Sequence, residues 1–164
     1  MERMFSPWRM EYIRGGGSGG TRCIFCVGEE DRRDPEHLVL GIYPNTLAIC
    51  NRYPYNNGHV LIAPRRHVAD LYLLSGEEQR ELMSLVALGT KALAEEYSPE
   101  GFNVGMNLGK VAGAGITGHL HIHLIPRWGG DTSFMTSALT TRVLPESLPQ
   151  THGRLSARFG ALTP

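Results

Sequence analysis

The chain has few cysteines, almost no lysine, no surplus charge and no long apolar run, and each scarcity removes a class of protein. Three cysteines in 164 residues cannot build a disulfide framework and fit a reducing compartment, so the expected location is cytoplasmic. Sixteen Lys plus Arg balance sixteen Asp plus Glu, which argues against a basic nucleic-acid binder or an acidic tail. No apolar run approaches the ~20 residues that span a bilayer, and the opening MERMFSPWRM has the form of neither a signal nor a transit peptide. Neither nucleic acid nor membrane is therefore expected as a partner. Of the basic residues only Lys91 and Lys110 are lysines. An arginine excess suits phosphate recognition by the planar guanidinium fork, and it follows equally from a GC-rich genome. Glycine, in contrast, is abundant at 20 residues, with dense runs at 15–20 and 109–118.

The length predicts one domain, 1–164, large enough to bury a core. Residues 1–20 read as an arm, carrying Trp8 and Arg9, and a glycine-rich linker. His37–Tyr43 and Leu47–Arg52 are β-type runs with Pro44-Asn45 between them, and Gly58–Ala63 is a third, closed by Pro64. Together they predict an antiparallel meander. A short helical piece covers Val68–Leu74. The Ser75-Gly-Glu-Glu78 capping box opens one long helix ending near Tyr97, with Leu82, Leu85, Val86, Gly89 and Leu93 on one face. Phe102–Asn107 and His119–Ile125 are further strands, the last stopped by Pro126. The remainder, rich in proline, reads as irregular. The predicted class is α+β, a five-stranded antiparallel sheet with one main helix.

His119-Leu-His121-Ile-His123-Leu-Ile125 carries the chemistry. Side chains alternate along a strand, so the three histidines share one face and Leu120, Ile122 and Leu124 the other. Neutral imidazole serves as nucleophile, general base or metal ligand. Two readings follow: a metal site, or nucleophilic catalysis with the central histidine attacking and its neighbours orienting it. The nearest acid in sequence is Asp131, beyond Pro126 and two glycines, which weakens a purely metal-hydrolytic reading. Upstream, the loop 107–118 has glycines at 109, 113, 115 and 118 that let backbone N–H groups approach an anion. It has the pattern of neither a P-loop nor a dinucleotide fingerprint.

His-x-His-x-His followed by apolar residues resembles the motif of the histidine triad superfamily of nucleotide hydrolases and transferases. Asn51-Arg-Tyr-Pro-Tyr-Asn-Asn-Gly-His59-Val-Leu-Ile-Ala-Pro64 resembles that family's approach to its upstream histidine. Ser6–Ile13, Cys23-Ile-Phe-Cys26 and Pro126–Phe134 are similar to its bacterial diadenosine tetraphosphate phosphorylase branch. The resemblance implies that His121 attacks the α-phosphorus of a nucleotide to form a nucleotidyl-histidine. It also implies that His123 faces the same phosphate and that His119 and His59 support the pair. Nucleotide contacts would come from Asn51, Asn107, Thr117 and the Gly113-Ala114-Gly115 backbone. The substrates would be adenine nucleotides and dinucleoside polyphosphates of the diadenosine tetraphosphate type, cleaved by phosphorolysis. Hydrolysis of the same compounds or of nucleoside phosphoramidates, and nucleotide binding with little turnover, stand as alternatives. One departure is visible: where the family usually carries Gln, Ser or Thr, three or four residues before the first triad histidine, this chain has Ile116 and Gly115.

Cys23-x-x-Cys26 alone is half a zinc site or a redox pair, although the thioredoxin-like βαβ pattern of a redox pair is missing. The resemblance implies that His67, of Pro64-Arg-Arg-His67, and His119 complete a structural zinc site, with no organic cofactor. It further implies a homodimer with the sheet continued across it, and a C-terminal extension, 135–164. Cys50 reads as a core residue. Trp128 either stacks on a base or packs.

Overall fold

The computed structural model describes residues 23–131 and 144–164. The arm, with Trp8 and Arg9, and the first part of the expected extension lie outside the described residues. The strands are β1 Val39–Ile42, β2 Thr46–Cys50, β3 Val60–Pro64, β4 Gly101–Gly105 and β5 Ile122–Arg127. They form one antiparallel sheet in the order β1-β2-β3-β5-β4. The predicted meander is the β1-β2-β3 half. Every residue of β2 and β3 is buried because the sheet is covered on both faces. One face belongs to the main core, with Ala48, Cys50, Val60 and Ile62. The other carries Phe25, Val27, Leu47, Ile49, Leu61 and Ala63.

The long helix α1 spans Gly76–Tyr97. Ser75 accepts from the Glu78 N–H while Glu78 accepts from the Ser75 N–H, so two otherwise unpaired backbone donors are satisfied. Its inward residues are Leu82, Leu85, Val86, Gly89, Ala92 and Leu93. Among the described residues, no helix is long and apolar enough to cross a membrane.

Two expectations need correction. The C-terminal segment is not irregular: Leu148–Gly160 is a second helix, α2, whose Thr151, Leu155 and Phe159 are buried. The Ser147 N–H and hydroxyl both donate to Gln150. Pro149 sits in the first turn, where a backbone N–H has no helical partner to lose. The triad strand is also shifted, beginning at Ile122 and running through Pro126 to Arg127. β3 pairs only with Ile122–Leu124, while Leu120 N–H instead donates to Val68 O. The Pro126 carbonyl accepts from Asn56 on the β3 side. Its nitrogen faces the same way, past the last β3 pairing, so no ladder bond is lost.

Candidate active site

Leu120, Ile122 and Leu124 lie in the main core, which turns the three triad imidazoles to the opposite face. There the His121 and His123 ring centres are 5.1 Å apart. Phe25 stacks on His121 and tilts on His119, each at 5.1 Å.

Two hydrogen-bond patterns assign the protons. His121 Nδ1 lies 2.9 Å from its neighbour's carbonyl, His119 O. A carbonyl only accepts, so Nδ1 carries the proton and Nε2 the lone pair. At the second pair, the Tyr55 N–H donates to His59 Nδ1 at 3.0 Å; Asn51 Nδ2 lies against the same ring, 3.2 Å from Nδ1 and 3.4 Å from Nε2. His59 therefore holds its proton on Nε2, which is 2.9 Å from His123 Nδ1. That bond makes His123 Nδ1 the acceptor and puts the His123 proton on Nε2. One histidine thus presents a lone pair and its neighbour an N–H. Burial disfavours the charged form of three of these rings. It lowers His121 and His119 below the ordinary histidine range, and takes His59, with some help from His123 and His121, to about 3.

His119 turns towards the cysteines. Its Nδ1 is 3.4 Å from Cys23 Sγ and 3.9 Å from Cys26 Sγ, and Cys26 Sγ is 3.3 Å from His67 Nδ1. All four ligand atoms lie within 4.8 Å of one another. Bond lengths of ~2.3 Å to sulfur and ~2.0–2.1 Å to nitrogen place tetrahedral zinc ligands roughly 3.3–3.8 Å apart, so the set fits such an ion. The Pro64 carbonyl, 2.8 Å from His119 Nε2, takes the other ring proton and leaves Nδ1 as the donor atom.

The glycine-rich loop is partly self-satisfied. Gly113 N–H donates to Lys110 O and Ala114 N–H to Gly109 O, while Asn107 Nδ2 reaches Gly113 O at 3.5 Å. Gly115 and Thr117 are exposed and Ala114 is buried. Ile116 packs against the Phe25 cluster, so it faces protein. Sequence reasoning missed Phe25, noted only as the spacer between two cysteines. It also missed Asn56, which holds Pro126 O and Asp131. Asp131 itself pairs with Arg127. No sequence signal marks Asn56; its burial does.

Residues 32–130 match the HIT domain. The chain belongs to the HIT family. It is 34% identical over 165 residues to a Mycobacterium tuberculosis protein named AP-4-A phosphorylase, a match covering 97% of this chain and 85% of that one. A Schizosaccharomyces pombe protein, adenosine 5′-monophosphoramidase hnt1, is 33% identical over 105 residues, covering 64% of this chain and 74% of its own length. Among solved structures, a Zn-bound histidine triad family protein from Mycobacterium smegmatis is similar with a TM-score of 0.61. It is 27% identical and the match covers 74% of this chain and 83% of that one.

Proposed function

We propose that this HIT protein is a nucleotidyl-transfer enzyme that cleaves dinucleoside polyphosphates of the diadenosine tetraphosphate type by phosphorolysis. The observation that carries the reading is the complementary pair of tautomers at His121 and His123. His121 Nε2 attacks the α-phosphorus and the bond to the bridging oxygen breaks, so that ATP leaves and adenylyl-His121 remains. The positive charge that develops on the ring is held by the His119 carbonyl at Nδ1–H. His123 Nε2–H donates to the phosphoryl oxygens as charge builds on them. A donor of this kind is worth roughly 3 kcal/mol in comparable oxyanion sites. An oxygen of inorganic phosphate then attacks the same phosphorus, the P–N bond breaks, and ADP is released. The 34% likeness to AP-4-A phosphorylase over nearly the whole chain supports this acceptor.

Cys23, Cys26, His67 and His119 would hold a structural zinc ion, which would brace the backbone at His119. Asn51, Asn107, Thr117 and the 113–115 backbone are proposed to hold the nucleotide. Strand β4, an outer strand of the sheet with Val104 48% exposed, is the proposed edge for a homodimer.

Anion exchange of the products from diadenosine tetraphosphate, with and without phosphate, tests the activity. ADP plus ATP only when phosphate is present is the expected result. AMP plus ATP regardless of phosphate would make the protein a hydrolase on the same nucleophile. Turnover of an adenosine phosphoramidate alone would favour the second reading, which the likeness to the monophosphoramidase supports.

A further inference from the structure

The turn that delivers His59 is held from outside the triad. Asn57 is buried, and its Nδ2 donates to Glu146 Oε2 at 3.4 Å. The same carboxylate oxygen accepts from the Tyr97 hydroxyl and from Thr151 Oγ1, each at 2.9 Å. Its other oxygen accepts from Arg154 Nη1 at 2.6 Å. The Arg154 guanidinium also lies 5.0 Å from the centre of the Tyr97 ring and reaches Glu96 on α1. The Tyr97 ring in turn abuts Gly58, the residue before His59: a Cβ added there would stand 3.1 Å from Tyr97 Cε2. Gly58 has φ +70, a conformation that turns the chain into β3. One carboxylate, just before α2, therefore joins the end of α1, the first turn of α2 and the turn before His59. Burial alone would raise the Glu146 carboxyl, but its bonds to Arg154, Tyr97, Thr151 and Asn57 keep it below the usual range.

We propose that Glu146 is a positioning residue for the transfer reaction, acting through Asn57 and Tyr97 on the turn that sets His59 against His123. The proposal rests on the reading of the triad given above. Its bonds go to Asn57, Tyr97, Thr151 and Arg154, none of them a reacting group, and Asn57 lies two residues before His59.

The test uses the full-length protein with Glu146→Ala, Glu146→Gln and Asn57→Ala, alone and combined with His59→Ala. Glu146→Ala should lower kcat about tenfold with KM little changed, as a small misplacement of an orienting group does. Glu146→Gln, which keeps an acceptor oxygen for Tyr97 and Thr151, should restore most of it. In the His59→Ala background, Glu146→Ala should add nothing further. Long-range 1H–15N spectra of histidine-labelled protein supply a readout without activity. The His59 Nε2–H signal should shift or exchange away in Glu146→Ala and persist in Glu146→Gln. If Glu146→Ala does not fold, Asn57→Ala removes the side-chain bonds to Glu146 and Thr151 and leaves the Tyr97 contact in place; it should show part of the kcat loss and a shifted His59 signal, and an unchanged signal there would count against the proposal. Losses that multiply with His59→Ala, or an unchanged His59 signal, would overturn the proposal. Were the wild type inactive on every nucleotide tried, the assigned function would fall, while the spectra would still decide the positioning.

Discussion

Replacing Phe159 with alanine asks whether α2 is part of the core or an addition to it. Phe159 is 0% exposed. Its ring lies 3.4 Å from where a Cβ on Gly89 of α1 would stand, and that same point is 3.0 Å from Leu124 on the triad strand. The ring thus fills the space between α1 and the back of β5, and the Phe159 carbonyl accepts from the buried Tyr43 hydroxyl at 2.6 Å. Truncation removes the ring and leaves a void whose walls are a helix and a sheet, neither of which collapses easily. Such Phe→Ala changes cost about 3–5 kcal/mol. With a urea m-value of ~2 kcal/mol/M, typical for a small domain, the unfolding midpoint should fall by ~1.5–2.5 M. The assay is urea unfolding followed by far-UV circular dichroism and tryptophan fluorescence. A fall below ~0.5 M at unchanged m would refute the packing argument, because a peripheral helix can lose its apolar side chain without exposing the core.

Three further outcomes are expected. His121→Asn should abolish turnover while nucleotide affinity, read by calorimetry, stays within a few-fold of wild type; surviving activity would remove His121 as the nucleophile. Elemental analysis should find zinc in the native protein and little in Cys23→Ser, since one thiolate of the four-ligand set is gone; native protein grown with zinc yet free of it would sink the metal site. Glu78 is held down to about 2, chiefly by its hydrogen bonds with Arg66 and despite burial. Its folded pKa lies below the unfolded value of ~4.3, so its contribution to stability is complete above pH ~4.3 and is lost as pH falls through about 2. Glu78→Gln should therefore flatten the acid limb of a melting-temperature profile between those values and leave its shape near neutrality alone; an unchanged acid limb would contradict the pairing.

Much of the fold was written in local pattern. The Ser75–Glu78 box and the spacing of Leu82, Leu85, Val86, Gly89 and Leu93 define α1 because capping and 3.6-residue periodicity are properties of a single segment. The alternation at 119–124 likewise placed the three imidazoles opposite Leu120, Ile122 and Leu124. The C-terminal helix carried an equivalent signal in Ser147 and Gln150, but Pro145 and Pro149 read as breakers. The second of them is harmless only because it falls in the first turn, a fact visible once the helix start is known.

Residue types and their spacing alone determined that this chain carries a triad of imidazoles on one face of a strand and a Cys-x-x-Cys pair, since those depend on backbone periodicity and composition. Which nitrogen of the His123 ring holds its proton was decided only by tertiary structure. His121 is set by a carbonyl two residues away, but His123 is set through His59 by the Tyr55 N–H, 68 residues upstream of it. The end of β5 was decided the same way, by pairing with β4, which runs on to Arg127 after β3 has stopped at Leu124. The gathering of Cys23, Cys26, His67 and His119 around one point belongs to that second class too. A tautomer, a strand end and a ligand set each depend on a partner brought from elsewhere in the chain, and local sequence does not encode where that partner arrives.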